Sequence, residues 1–167
     1  GWVVYLSSFS KYISPGMRLG AVVANPLLLR KIVIGKQSSD VHSPLLIQAI
    51  IDAYLREGLL PGHLERVCGD YLVQLDTMLE CFSAFPEGTT HTEPEGGLFI
   101  WGELPEGIDG MKVFSQAVED GVAFVPGTHF YPDGGHLSTF RLNFSMSEPD
   151  VIRTGMQRLA GAIRKCV

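Results

Sequence analysis

The segment that most constrains this chain is residues 7–20, SSFSKYISPGMRLG. It is bracketed by two apolar runs, residues 2–6 (WVVYL) and 19–24 (LGAVVA). Continuous runs rich in β-branched residues read as buried strands. A strand that ends in a tight turn holds Lys11 at its tip, and the two strands with the lysine loop between them form the end of a sheet. Hydroxyls flank the lysine at Ser7, Ser8, Ser10 and Ser14, and Arg18 follows between Gly16 and Gly20. The glycines let backbone pass close to a ligand. A carbonyl compound carrying a phosphate needs this set: an amine to form an imine, with hydroxyl and guanidinium donors for the phosphate. Arginine suits the phosphate because its planar fork bonds two oxygens at once. A surface turn with a solvated lysine is the alternative that the short motif leaves open.

Composition narrows the class. With 46% hydrophobic and 19% charged residues in 167, the chain is globular, of a size for one ordinary domain or two small ones sharing a core. A net charge of −5 argues against a nucleic-acid surface on this segment, though not against an anionic ligand held by local positive charge. Cys68, Cys81 and Cys166 lack C-x-x-C spacing, and the histidines lack metal-ligand spacing. A reducing compartment, hence the cytoplasm, fits better than a disulfide framework, and no metal site is expected. No apolar run is long enough for a membrane span.

Several helices follow. Asn25-Pro26 and Ser43-Pro44 read as helix starts, with residues 35–43 a polar connection between the two helices. On the second, Leu45, Leu46, Ala49, Ile50, Ala53 and Tyr54 share a broad apolar face. Residues 60–62 read as a turn, and a long helix runs from His63 to about Phe82 with Leu75, Met78 and Phe82 on its stripe. Residues 98–101 form a strand after the Gly96-Gly97 pair, which marks either a pocket edge or a hairpin or bulge. Residues 112–120 form a helix, and residues 122–125 (VAFV) a buried strand leading to Pro126-Gly127. His129 and Phe130 line a pocket or belong to a structural turn. In residues 139–145 (TFRLNFS), alternation puts Arg141, Asn143 and Ser145 on the face opposite Phe140 and Leu142. An arginine on an otherwise apolar sheet needs an anionic partner, a ligand or a local carboxylate. Glu148-Pro149 starts the last helix.

Ser8, Phe9, Ser10, Lys11, Pro15, Gly16, Arg18 and Gly20 together resemble the S-F-S-K-x-x-x-P-G-x-R-x-G lysine segment of fold-type I pyridoxal-phosphate enzymes. That form is found in class I/II aminotransferases of the aminoadipate and kynurenine type, and in the aminotransferase-like domain of MocR-type transcription regulators. The likeness continues through residues 94–101 (PEGGLFIW), 121–130 (GVAFVPGTHF) and 139–145, nearly the whole chain. It departs at Gln74 and Leu75, where such proteins usually carry arginines.

The resemblance implies an α/β chain that is the C-terminal portion of a fold-type I transferase. Residues 1–75 would end the large cofactor domain, and residues 76–167 would form the small domain. It implies pyridoxal 5'-phosphate as cofactor, Lys11 as the Schiff-base lysine, and Ser8, Ser10 and Arg18 as further cofactor contacts. Gly97 would border the substrate pocket and Arg141 would bind the substrate α-carboxylate. The implied activity is amino-group transfer between an amino acid and a 2-oxo acid, in a homodimeric parent. Ring-binding residues would lie in a preceding part of a longer protein, leaving the isolated segment inactive. The alternative implied by the same resemblance is an effector-binding domain of a regulator.

Overall fold

The computed structural model describes residues 3–167. These residues divide into two compact units, the first ending at Val67 and the second running Cys68–Val167.

The first unit opens with an antiparallel pair, β1 (Tyr5–Ser8) and β2 (Gly20–Val23). Its register sets Tyr5 opposite Val23 and Ser8 opposite Gly20. The expected strands over 2–6 and 19–24 are thus present but shifted and shorter; Trp2 lies outside the described residues. They are not buried: Leu6 is 71% exposed. Among the described residues of its unit, Tyr5, Leu6 and Val23 of this two-stranded ribbon stay largely uncovered. Helix α1 (Pro26–Ser39) starts as expected, with the Asn25 side chain accepting from the Leu27 amide at 2.9 Å and Pro26 in the first turn. It also absorbs most of the polar stretch read as a connection. The Lys36–Asp40 ion pair supports its last turn, and the Ser38 and Ser39 hydroxyls bond back to the carbonyls of Ile34 and Gly35. Polar composition gave a false loop signal because these side chains satisfy themselves along the helix.

Helix α2 (Leu45–Arg56) begins one residue later than its Ser-Pro signal, with Pro44 at the cap position. The Ser43 hydroxyl does not cap it; the Ser43 carbonyl instead accepts from Gln48 Nε2 at 2.9 Å. Its buried residue is Ile51, which the face drawn from the sequence omitted. Helix α3 (Leu60–Cys81) includes the Leu60-Pro61-Gly62 stretch expected to be a turn. Proline is tolerated in a first helical turn because the amide it lacks has no partner there anyway.

The second unit holds the core. Its sheet has the order β3 (Thr90–His91), β4 (Phe99–Glu103), β6 (Thr139–Asn143), β5 (Val125–Pro126), all antiparallel. Strand β5 is only two residues long, so the strand expected over 122–125 is mostly irregular chain. Helices α4 (Gly110–Glu119) and α5 (Pro149–Arg164) complete the unit. The Asp109 carboxylate caps α4 by accepting from the Met111 amide at 2.8 Å, two residues upstream of the expected start. Leu75 and Met78 from α3, and Phe82 from the 3-10 turn that follows it, join Ile100, Phe140, Leu142, Val113, Ala117, Leu159 and Ile163 in one apolar cluster. Arg164 bonds the Ala84 carbonyl at 2.7 Å, and Lys165 pairs with Asp120, so the end of α5 is tied down at two points. The three cysteines are free. Burial pushes the Cys81 thiol up, with nearby Arg153 opposing and Glu80 adding.

A tight constraint lies between β4 and β6. Gly102 faces Phe140, and a Cβ at Gly102 would collide with the tip of the Phe140 ring. Glycine is required there so that the ring can lie flat against the neighbouring backbone. Gly102→Val should therefore destabilise the protein by about 1–3 kcal/mol through overpacking, seen as a lower urea midpoint; an unchanged midpoint would mean that the ring is not packed there.

Candidate functional site

In the first unit, the β1–β2 hairpin places the lysine loop. The Phe9 amide bonds the Leu19 carbonyl at 3.0 Å and closes the loop just beyond the strands. Inside it, the Lys11 amide reaches the Ser8 carbonyl at 3.3 Å, and the amides of Ile13 and Ser14 both reach the Phe9 carbonyl. These successive turns leave Lys11 exposed beyond β1. Residues 15–17 form a 3-10 turn that ends at Arg18, whose φ of 48° and ψ of 38° are left-handed. That backbone brings Arg18 Nη1 to 3.3 Å from Ser10 Oγ and 3.4 Å from the Pro15 carbonyl. Gly20 has its own reason: a Cβ there would lie 2.9 Å from the Ser7 carbonyl oxygen. Ser7 Oγ and the Tyr12 hydroxyl share a hydrogen bond of 2.7 Å, which braces the loop. Ser8, Ser10, Lys11 and Arg18, all named from the sequence, therefore share one loop. An amine, two hydroxyls and a guanidinium on a short closed loop form a donor set suited to a phosphorylated carbonyl compound.

The second unit holds the other two residues named from the sequence. Arg141 is on β6, directly opposite Trp101 of β4 and Val125 of β5. Its neighbours Phe140 and Leu142 are buried on the other face, as strand alternation requires. The ion pairs among the described residues, Lys36–Asp40, Arg56–Asp52, Arg153–Glu80 and Lys165–Asp120, leave Arg141 out. Its Nε is buried without a hydrogen-bond partner among the described residues. The local carboxylate that could have neutralised it is not among them. Instead its guanidinium carbon lies 4.0 Å from the centre of the Phe99 ring and 4.6 Å from that of Phe130. Phe99 was not singled out in the sequence; its position two residues before Trp101 on the same strand face was the available signal.

Gly97 adopts a φ of 85°, which only glycine takes without strain, so the turn before β4 depends on it. With Gly96, Pro94 and Glu95 it lines a cleft of about 220 Å³ closed by Tyr71, Leu75 and Phe144. A larger cleft of about 550 Å³ runs along α5, and none of Ser8, Ser10, Lys11, Arg18, Gly97 and Arg141 lines it. His129 is exposed in the 3-10 turn Gly127–Phe130, in line with a structural role. At the Gln74 departure, the Gln74 side-chain oxygen is buried with no partner among the described residues.

Comparison with known proteins decides the family. The model of the aminotransferase class I and II family matches residues 1–159. The chain belongs to the class I and II aminotransferases. Among its relatives, the aromatic-amino-acid aminotransferase 1 of Thermococcus litoralis is 40% identical over 166 residues, 99% of this chain and 40% of that protein. Among solved structures, the α-aminoadipate aminotransferase of Thermus thermophilus, complexed with N-(5'-phosphopyridoxyl)-L-leucine, superposes with a TM-score of 0.94 at 39% identity, covering 98% of this chain and 42% of that one. The kynurenine aminotransferase of Pyrococcus horikoshii, in complex with PMP, has a TM-score of 0.95 at 41% identity, covering 99% and 41%. This aminotransferase chain thus spans about 40% of the length of these relatives. Its fold is the C-terminal portion of a fold-type I transferase.

The left-handed Arg18 gives the lysine loop a testable cost. A non-glycine residue in that region is strained by about 1–2 kcal/mol. Arg18→Gly should raise the stability of the ligand-free protein by up to about 1 kcal/mol, while Arg18→Lys should not. A melting temperature lowered by the glycine would mean that the Ser10 and Pro15 contacts outweigh the strain.

Proposed function

We propose that the whole protein to which this chain belongs is a pyridoxal-phosphate-dependent aminotransferase. It transfers an amino group between an α-amino acid and a 2-oxo acid. The observation that carries this reading is the closed loop holding Ser8, Ser10, Lys11 and Arg18 together. Pyridoxal 5'-phosphate fits this donor set, since Lys11 offers an exposed amine and Arg18 and the serines offer phosphate donors on one short loop. When bound, the cofactor supplies an electrophilic carbonyl and a ring that accepts the electrons released at the substrate α-carbon.

The chain's own residues have distinct tasks. Lys11 Nζ would hold the cofactor through its carbonyl carbon and, as a free amine, would move a proton at the substrate α-carbon. Ser8, Ser10 and Arg18 donate hydrogen bonds to the phosphate. Arg141 takes the substrate α-carboxylate with its two terminal nitrogens and so fixes which α-carbon bond is broken. Gly97 keeps backbone, not a side chain, at the border of the substrate pocket. Residues 1–75 end the large domain and residues 76–167 form the small one. The parent works as a homodimer in the cytoplasm; among the described residues no helix is long and apolar enough to cross a membrane. The regulator reading is the weaker, because relatives at 39–41% identity are named as aminotransferases.

Two measurements on the full-length parent test this. Borohydride reduction in the presence of pyridoxal phosphate should trap an adduct that maps to Lys11 and vanishes in Lys11→Ala; an adduct on another lysine would overturn the assignment. Arg141→Ala should weaken amino-acid binding about 100-fold, as expected for losing a charge-assisted pair of hydrogen bonds, with cofactor affinity little changed. Near-normal amino-acid affinity in that variant would remove Arg141 from the site.

A further inference from the structure

The sheet face that carries Arg141 is unusual in what holds the guanidinium. Among the described residues no carboxylate pairs with it, and its buried Nε has no hydrogen-bond partner. What touches it is aromatic. Phe99 lies diagonally across from it on β4, with its ring centre 4.0 Å from the guanidinium carbon. Phe130, at the end of the 3-10 turn after β5, presents its ring at 4.6 Å. A guanidinium is planar and weakly hydrated, so it stacks on aromatic faces and keeps its edge available for hydrogen bonds.

Phe130 is itself braced. Trp101 meets it edge-on, with ring centres 5.4 Å apart and an interplanar angle of 77°. Tyr131 packs against Trp101 at 6.3 Å, and His136 stacks on Tyr131 at 3.8 Å and 16°. The turn that delivers Phe130 reaches the sheet only because Gly127 has no side chain; a Cβ there would collide with Thr139. Two elements far apart in the chain thus converge on one cation and set its plane without any ionic contact.

We infer that Phe99 and Phe130 are positioning residues that hold the Arg141 guanidinium for two-point recognition of the substrate α-carboxylate. The inference rests on the aminotransferase reading of Arg141 and deepens it. An arginine with a long, flexible stem binds a carboxylate through two parallel hydrogen bonds only when its plane is preset. In most buried sites a neighbouring carboxylate does this, but it would also compete with the substrate for the fork. Two phenyl rings orient the cation and leave its charge undiminished for the ligand.

The test uses the full-length protein loaded with pyridoxal phosphate. The quantity read is the ratio of affinities, followed by the change in cofactor absorbance, for the amino acid that wild type binds most tightly and for its carboxamide. The carboxamide keeps the side chain and the amine but lacks the carboxylate. Phe99→Leu and Phe130→Leu retain apolar bulk without a ring, and each should reduce the preference for the carboxylate about tenfold. Phe99→Tyr and Phe130→Tyr should restore it, and melting temperatures should follow neither pattern. If Arg141→Ala abolishes the preference while both leucine variants keep it, the positioning role is overturned and the carboxylate reading stands. If Arg141→Ala keeps the preference, the carboxylate reading fails and the inference falls with it. Failure of the tyrosine variants to restore what leucine removed would also overturn the positioning role, since any aromatic face should serve.

Discussion

The register of β4 against β6 is the constraint on which the second unit depends. Trp101 lies opposite Arg141, and Gly102 opposite Phe140. A slip of one residue would exchange the two faces of β6, driving the arginine into the apolar core and its neighbours Phe140 and Leu142 into solvent. That exchange is blocked from both sides. Phe140 and Leu142 are buried among α3, α4 and α5 side chains, and Gly102 provides the gap that the Phe140 ring fills. Burial of the Arg141 charge within the core would be costly without a partner. The same pairing that builds the hydrophobic core therefore also sets the face on which Arg141 lies.

The first unit follows a different logic. Among its described residues only Ile51 is buried, and β1, β2, α1 and α2 leave many large apolar side chains exposed. Local interactions hold its shape: the Asn25 cap, the Lys36–Asp40 pair and the hydrogen bonds that close the lysine loop. Such interactions contribute about 1 kcal/mol or less each, which is small beside what a packed core supplies. The strained Arg18 backbone sits within this locally determined loop. Strain of that kind persists where surrounding structure enforces it and is commonly tied to ligand binding. Here the enforcing contacts are the Phe9–Leu19 hydrogen bond and the close approach of Gly20 to Ser7.

The lysine loop was legible in the sequence because its determinants are contiguous. Serines, lysine, arginine and glycines lie within one stretch of chain. The face of Arg141 was legible as well, since strand alternation is a local rule. Expectations failed where a local signal had two meanings. Lys36, Ser38 and Ser39 looked like loop residues, but Lys36 pairs with Asp40 and the two serine hydroxyls donate to the Ile34 and Gly35 carbonyls along α1. Ser43 looked like a cap, yet its carbonyl, not its hydroxyl, is used. Pro61 looked like a turn residue and lies in the first turn of α3, where proline costs little.

What the sequence by itself determined is the chemistry available: an amine among hydroxyls beside a guanidinium, and a second arginine on the polar side of a strand. These follow from residue identity and near-neighbour spacing, which need no fold to be read. Only the tertiary structure decided how Arg141 is held. Phe99 and Phe130 are separated in the chain by helix α4, and they meet the guanidinium because β4, β5 and β6 pair side by side. Contacts of that kind depend on strand order and on the space left by Gly127, and no periodicity in the sequence encodes which two rings will close on one cation.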